Sequence, residues 1–187
     1  IGKPVPQPPN DLPGAYRASI HAMLSSGASF INHYTVTGMW NFAYWRRRDL
    51  GSIYYPHMPF TVTGGFNQTY WPMRLTGLWL NSFGPDLLTA EESPPRTVEI
   101  LAAEPHASPP QAHALASRSG LYIFLQEQQA KAAALRIRIR DPISGQPLTI
   151  PAEGDILLSP RQSKIIMAGI KLGDIRLLYS TSEICTR

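Results

Sequence analysis

The spacing of apolar residues changes along the chain and divides it into two parts near residue 90. Apolar side chains recur at helical spacing in residues 14–25 and again in residues 69–83, where Gly84 and Pro85 are expected to end the helix. Residues 28–36 are rich in aromatic and β-branched side chains, which predicts a buried strand. A helix, a glycine and an apolar strand in succession indicate an α/β unit with a parallel strand.

The second part of the chain has the period of two that is typical of strands. Leu135, Ile137 and Ile139 alternate with three arginines, which predicts a strand with one face in water. Glycine or proline separates further short apolar runs. Strands are predicted at residues 97–102, 148–150, 155–158, 164–168 and 175–180. Short strands at regular spacing favour an antiparallel, sandwich-like domain.

Two proline-rich segments complete the predicted organisation. Residues 1–13 contain five prolines and are expected to form an extended lead-in. Residues 90–119 are predicted to be a proline-rich linker containing one strand. The linker joins an α/β part, residues 14–89, to an incomplete antiparallel β domain, residues 120–187.

Composition excludes several classes of protein. The 187 residues are 43% hydrophobic and 16% charged, which suffices for a packed core. No run of 18 apolar residues exists, so no membrane-spanning helix is expected. The single cysteine, Cys185, cannot form an internal disulfide framework. The five histidines lack the spacing of metal ligands, so neither a metal nor a cofactor is expected.

The positive charge is concentrated in the first part of the chain. The net charge is +4, and residues 1–85 carry six basic against two acidic side chains, whereas the remainder is neutral. The only basic cluster, residues 46–48, follows Trp45 and favours a solvated loop with one arginine packed on a ring. A nucleic-acid-binding protein, which usually has a basic stripe with interleaved aromatic residues, is therefore disfavoured.

Aromatic residues provide the strongest indication of a binding site. Eleven of them fall within residues 34–71. Aromatic rings stack on the apolar faces of sugars, and tyrosine hydroxyls form hydrogen bonds with ring substituents. The alternative is that many of these rings only pack the end of one domain against the next. Between residues 14 and 85 the only acidic side chain is Asp49, so no pair of catalytic carboxylates is present there.

Several segments resemble the family-35 glycoside hydrolases, the β-galactosidases. Residues 38–45, GMWNFAYW, are similar to the segment GGTNFAYW that closes the last strand of their catalytic barrel. Residues 163–166, SKII, and residues 177–184, LLYSTSEI, resemble segments of the all-β second domain of larger members. The resemblance implies the last β/α unit or units of a (β/α)8 TIM barrel, followed by an antiparallel β-sandwich-like domain. The chain is accordingly expected to be a fragment of a larger polypeptide.

The resemblance also implies a function. The parent protein would be a retaining hydrolase of terminal β-galactosides or related oligosaccharides, held outside the cell, in the periplasm or in a lysosome-like compartment. Tyr44 and Tyr55 are implied to contact the sugar, with Asn41 and Trp45 beside them in an aromatic wall. Both catalytic glutamates of the family lie before the part of the barrel seen here, so no catalytic residue is assigned. The remaining parent polypeptide would supply them, and the chain alone is expected to be inactive and aggregation-prone.

A second hypothesis assigns no catalytic contribution at all. In it, the chain is a carbohydrate-binding or structural module that derives from such an enzyme and has kept its tyrosines.

Overall fold

The computed structural model describes residues 12–40, 53–54, 58–94, 97–102 and 110–186. These residues form two helices and eleven strands. They are α1 (Leu12–Ser25), β1 (Met39–Trp40), β2 (Ile53–Tyr54), α2 (Tyr70–Leu87), β3 (Glu91–Glu92), β4 (Val98–Ala102), β5 (Gln111–Ser117), β6 (Gly120–Gln126), β7 (Ala133–Arg140), β8 (Pro147–Ile150), β9 (Ile156–Leu158), β10 (Ser163–Leu172) and β11 (Ile175–Ser180). None of the helices in these ranges is long and apolar enough to cross a membrane.

Two antiparallel sheets pack face to face and confirm the predicted sandwich-like domain. One has the strand order β11-β10-β6-β5-β3, and the other has the order β4-β7-β8, with β9 also paired to β7. Ile123 and Leu125 of β6 face Leu135 and Ile137 of β7 in one buried core. The alternation along β7 is as predicted, because its apolar residues are buried and its arginines are exposed.

The two helices cover the other face of the five-stranded sheet. Ile20 of α1 and Trp79 and Phe83 of α2 share a second core with Tyr122 and Phe124 of β6. The five-stranded sheet is therefore the middle layer of three. Because both faces of β6 are buried, this strand does not alternate between apolar and polar residues, and the period-two signal does not reveal it.

The predicted strand at residues 28–36 is wrong. These residues form no strand, and within the described ranges the nearest backbone pairing is a single bridge between Thr37 and Phe60. A strand is stable only when a neighbour satisfies its hydrogen-bonding groups, and no described strand lies beside this segment. Phe30 and Tyr34 are exposed as a result. The (β/α)8 part of the fold remains a prediction.

Both helices occur where the sequence indicates them, but α2 ends later than predicted. It continues through Gly84 and Pro85 to Leu87. Pro85 itself has no N–H to donate, but later residues of the helix can still form hydrogen bonds. The Leu88 N–H donates to the Gly84 carbonyl at 3.0 Å. Gly84 and Pro85 therefore lie within the last turn of α2 and do not end it.

Residues 90–119 contain more structure than the sequence indicates. The strand predicted at residues 97–102 is confirmed as β4, which pairs with β7. Strands β3 and β5 were not predicted, and β5 pairs with β6 along its whole length. The sequence of β5, QAHALAS, has few residues of high strand propensity, so its pairing with β6 fixes its conformation. The division of the chain into domains stays a prediction.

Candidate functional site

The four residues predicted to contact sugar lie outside the described residues. They are Asn41, Tyr44, Trp45 and Tyr55. Their arrangement therefore stays a prediction. The structure does describe the later members of the same aromatic-rich segment, which gather at the N-terminal end of α2.

Four aromatic rings form a continuous group, here called the aromatic platform: Phe60, Phe66, Tyr70 and Trp71. The rings of Phe66 and Tyr70 stack with centroids 4.1 Å apart, and Trp71 meets Tyr70 edge-on at 5.1 Å. Phe60 lies 5.7 Å from Phe66 and 5.4 Å from Tyr70. The distances of 5.1, 5.4 and 5.7 Å lie in the range at which aromatic pairs attract one another, so the rings stabilise the group.

A tight turn brings the rings together. An antiparallel bridge pairs Phe60 with Phe66, and the Thr61 N–H donates to the Gly65 carbonyl at 2.8 Å. Gly64 lies inside this turn with a φ of +82°, a conformation that side-chain-bearing residues rarely adopt. The Asn67 N–H then donates to the Pro59 carbonyl at 2.8 Å. Helix α2 begins three residues later and carries the last two rings.

The platform is partly exposed and has a cation at one end. Phe66 is 61% exposed and Trp71 is 55% exposed. The guanidinium carbon of Arg74 lies 5.7 Å from the centre of the Trp71 ring, and its Nη1 donates to Tyr70 Oη at 3.5 Å. An apolar ring surface beside hydrogen-bond donors is suited to a ligand with one apolar and one polar edge, such as a sugar.

A cleft of about 500 Å³ is lined by Pro59 and Thr69, which neighbour platform residues in sequence. Residues of α1 and residues 32–35 also line it. Tyr16 Oη and His33 Nε2 are 3.2 Å apart in its wall, and their rings stack at 5.8 Å. Burial raises the pKa of Tyr16 to about 12.

The described residues of this site offer binding groups without a carboxylate. Among the residues that the structure describes, neither the platform nor the lining of the cleft includes an aspartate or a glutamate. In the described part of the chain, no group of three or more His, Cys, Asp or Glu side chains could hold a metal ion. The described residues of this site therefore provide no carboxylate pair for glycoside hydrolysis.

His21 of α1 and Ser163 of β10 form a buried pair that the sequence did not indicate. His21 Nδ1 is 2.6 Å from Ser163 Oγ, and the two residues are 3% and 1% exposed. A histidine beside a serine can activate a nucleophile, but these side chains are closed off from solvent and substrate. The pair instead joins α1 to β10. Because 142 residues separate its members, no local motif could have revealed it.

Comparison with known families identifies the second part of the chain. Residues 110–187 match a family model described as "Beta-galactosidase, domain 2". The match begins one residue before β5, extends beyond β11 and includes the segments SKII and LLYSTSEI. It confirms the resemblance to β-galactosidases for this part of the chain. The comparison with curated proteins found no match.

Proposed function

We propose that this chain is part of a retaining glycoside hydrolase that acts on terminal β-galactosides. In this proposal it contributes aromatic contacts to the sugar and no catalytic carboxylate. The observation that carries the proposal is the match of residues 110–187 to the second domain of β-galactosidases, which supports derivation from a glycoside hydrolase. The identity of the sugar and the sugar-contacting role of the aromatic residues are the finer parts of the proposal.

Packing between the helices and the sandwich supports a role for the aromatic platform. Platform residues Tyr70 and Trp71 lie in the first turn of α2, and Trp79 of the same helix meets Tyr122 of β6 edge-on at 5.9 Å. Tyr122 Oη also donates to the Asp86 carboxylate at 3.1 Å. The helix that carries half of the platform is thereby anchored to the β-galactosidase-like domain, which limits its freedom to move away from a bound sugar.

The chemistry of the site supports a neutral ligand. Exposed rings, a guanidinium and the hydroxyls of the cleft favour a sugar, while the lack of carboxylates among the described residues of the site leaves proton transfer to other residues. A retaining glycosidase needs two carboxyl groups about 5–5.5 Å apart. We assign both to the remaining parent polypeptide, and we assign the parent to an extracellular, periplasmic or lysosome-like compartment.

Sugar titration of the 187-residue chain tests the binding part of the proposal. Galactose and a β-galactoside are added while tryptophan fluorescence is recorded, and saturable binding is expected. Trp71→Ala and Phe66→Ala should each weaken it about tenfold, the equivalent of about 1.4 kcal/mol. Leu88→Ala removes an equally exposed apolar side chain at the other end of α2 and should leave binding unchanged. Equal losses in all three variants would contradict a specific platform.

Tyr44→Phe and Tyr55→Phe test the residues that the resemblance implies. Each variant keeps the ring and removes one hydroxyl, so each should weaken galactose binding without changing the fold, as checked by circular dichroism. The 187-residue chain is also expected not to hydrolyse an aryl β-galactoside. Turnover by the chain alone would contradict the assignment of both carboxylates to another part of the protein.

A non-catalytic carbohydrate-binding or structural module is the second candidate function. The lack of acidic side chains among the described residues of the platform and cleft favours it. Kinetics of the parent protein distinguish the two candidates, because a pocket wall touches the reacting sugar and a separate module does not. If Tyr44→Phe and Trp71→Ala lower kcat/KM for a small aryl galactoside, the chain forms part of the pocket. If they weaken only binding to polymeric substrate, the module is supported.

A further inference from the structure

The outer face of the four-stranded sheet carries three arginines in a row, and this set is here called the arginine face: Arg136, Arg138 and Arg140. They occupy successive outward positions of β7, the strand that lies between β4 and β8. Outward neighbours on one strand are about 6.6 Å apart, so their like charges repel one another in the absence of counter-charges. All three side chains are exposed. Neither the platform nor the cleft beside α1 includes them.

Among the residues that the structure describes, two of these charges have a carboxylate partner. Arg138 Nη1 is 3.0 Å from Glu99 Oε2, and Arg136 Nε is 3.7 Å from Asp155 Oδ1. Within the described residues, Arg140 has no carboxylate partner, and its Nη1 makes a long bond of 3.4 Å to the Gly145 carbonyl. A guanidinium has five N–H donors in a planar fork, so Arg140 retains donors for an anion.

A cleft of about 460 Å³ opens beside Arg138 and Arg140. Pro94, Thr97 and Pro147 form its other walls, and Pro147 lies directly opposite Arg140 in the β7–β8 register. The Pro94 carbonyl accepts bonds from the Thr97 N–H at 3.0 Å and from Thr97 Oγ1 at 2.6 Å, so this wall is formed in advance. Small-molecule sites span about 300–1,000 Å³, and this volume exceeds what a bare anion needs.

We propose that this cleft binds an acidic saccharide, whose carboxylate or sulfate group pairs with Arg140 while its ring contacts the proline walls. The fork of a guanidinium matches a planar carboxylate with two parallel hydrogen bonds. Glu99 interrupts the run of positive charge, and none of the described residues that line the cleft is aromatic, which disfavours a nucleic acid. The assignment of a saccharide rests on the proposed function, whereas the assignment of an anion does not.

Calorimetric titration of the 187-residue chain tests the site with four probes. They are a galacturonic acid trimer, a sulfated galactose oligomer, a neutral galactose trimer and inorganic sulfate. We expect the two acidic oligomers to bind in the cleft and the neutral trimer not to bind there. Sulfate alone should bind more weakly than either acidic oligomer. Arg140→Gln should weaken the acidic oligomers about tenfold, the equivalent of about 1.4 kcal/mol.

Two further variants give the site a distinct signature. Glu99→Gln removes the carboxylate that competes for Arg138 and should tighten the binding of the acidic oligomers. Arg118→Gln removes an equal charge from the exposed turn between β5 and β6, on the other sheet, and should leave binding unchanged. Equal weakening by Arg118→Gln and Arg140→Gln would overturn the proposal, because it would show attraction to net charge alone.

Two further outcomes would contradict the assignment of an acidic saccharide to this cleft. Sulfate that binds as tightly as the oligomers overturns the saccharide assignment, and a single-stranded oligonucleotide that binds more tightly than the galacturonic acid trimer overturns it in favour of a nucleic acid. Galactose binding at the platform is measured separately, as the binding that Trp71→Ala weakens. Failure of that binding, with Arg140-dependent binding of acidic oligomers intact, would contradict the proposed galactoside function and support this site.

Discussion

Nδ1 of His21, in the middle of α1, lies 2.6 Å from Oγ of Ser163, the first residue of β10. Both side chains are buried, and the His21 ring meets Phe124 edge-on at 6.2 Å. Burial, reinforced by the charge of Arg17, lowers the pKa of His21 to about 3. The imidazole is therefore neutral in the folded protein, where its bond to Ser163 joins the helical layer to the sandwich.

This buried histidine predicts that the protein loses stability as the pH falls. An unfolded His21 gains a proton near pH 6.5, whereas the folded one gains it only near pH 3. Between these values the unfolded state binds more protons, so the free energy of unfolding falls by up to about 1.4 kcal/mol for each pH unit of acidification. Urea denaturation of His21→Gln between pH 7 and pH 4.5 should give a shallower slope than wild type. The control, His33→Gln, removes an exposed imidazole, and identical slopes in all three proteins would contradict this role for His21.

The ion pair between Arg17 and Glu183 predicts a measurable coupling between α1 and the segment after β11. The Arg17 guanidinium contacts one oxygen of Glu183, and the other oxygen accepts the Ile165 N–H at 3.1 Å. Both side chains are 25% exposed, so solvent screens the pair only in part. A double-mutant cycle with Arg17→Gln and Glu183→Gln should give a coupling of about 1 kcal/mol.

The exposed pair of Arg138 and Glu99 is the matched control for that cycle. These side chains are 49% and 55% exposed, so their coupling should be smaller and should decrease further with added salt. If the two cycles give equal values, the partial burial of Arg17 and Glu183 does not strengthen their interaction.

We expect removal of the Tyr122 hydroxyl to lower the free energy of unfolding modestly. Tyr122 is fully buried and donates to Asp86 Oδ2 at 3.1 Å, which ties β6 to α2. Tyr122→Phe keeps the ring in the core and leaves the Asp86 carboxylate without this donor, so we expect a loss of about 1–2 kcal/mol in denaturant unfolding. Tyr179→Phe removes a hydroxyl that bonds the exposed Ala152 N–H and should cost less. A larger effect at Tyr179 would contradict this comparison.

We expect a substitution at Gly120 to lower the free energy of unfolding more than Tyr122→Phe does. Its φ is +146°, and a Cβ there would lie 2.7 Å from the Ala168 carbonyl oxygen and 2.8 Å from Gly169 backbone atoms. These atoms belong to β10, which is paired on both sides, and cannot move aside without disturbing the pairing of β10 with β6. Gly120→Ala should therefore cost about 3 kcal/mol or more.

Gly173 provides the control for Gly120. It also has a positive φ, of +62°, but a Cβ there would meet no atom within 4 Å. Gly173→Ala should therefore show only the backbone strain, about 1 kcal/mol. Comparable melting temperatures for the two variants would show that the contact with β10 has little effect.

Sequence patterns predicted β7, whose two faces differ, and missed β6, whose two faces are both buried. In β7 the alternation of Ile137 and Ile139 with arginines showed both the strand and its buried face. In β6 the run from Leu121 to Leu125 is buried on both sides, so its pattern did not distinguish a strand from another buried segment. The four predicted sugar contacts fall outside the described residues, so the structure does not test them.

The sequence by itself determined both helices, most of the strands of the sandwich and the resemblance to β-galactosidases, because local periodicity and short motifs carry that information. Tertiary structure alone decided that α1 and α2 cover the five-stranded sheet, that residues 28–36 form no strand, and that His21 meets Ser163. These features depend on contacts between residues far apart in the chain, where the free energy of burial and pairing outweighs local preference. Periodicity describes only which side of an element is apolar, and the fold decides what that side faces.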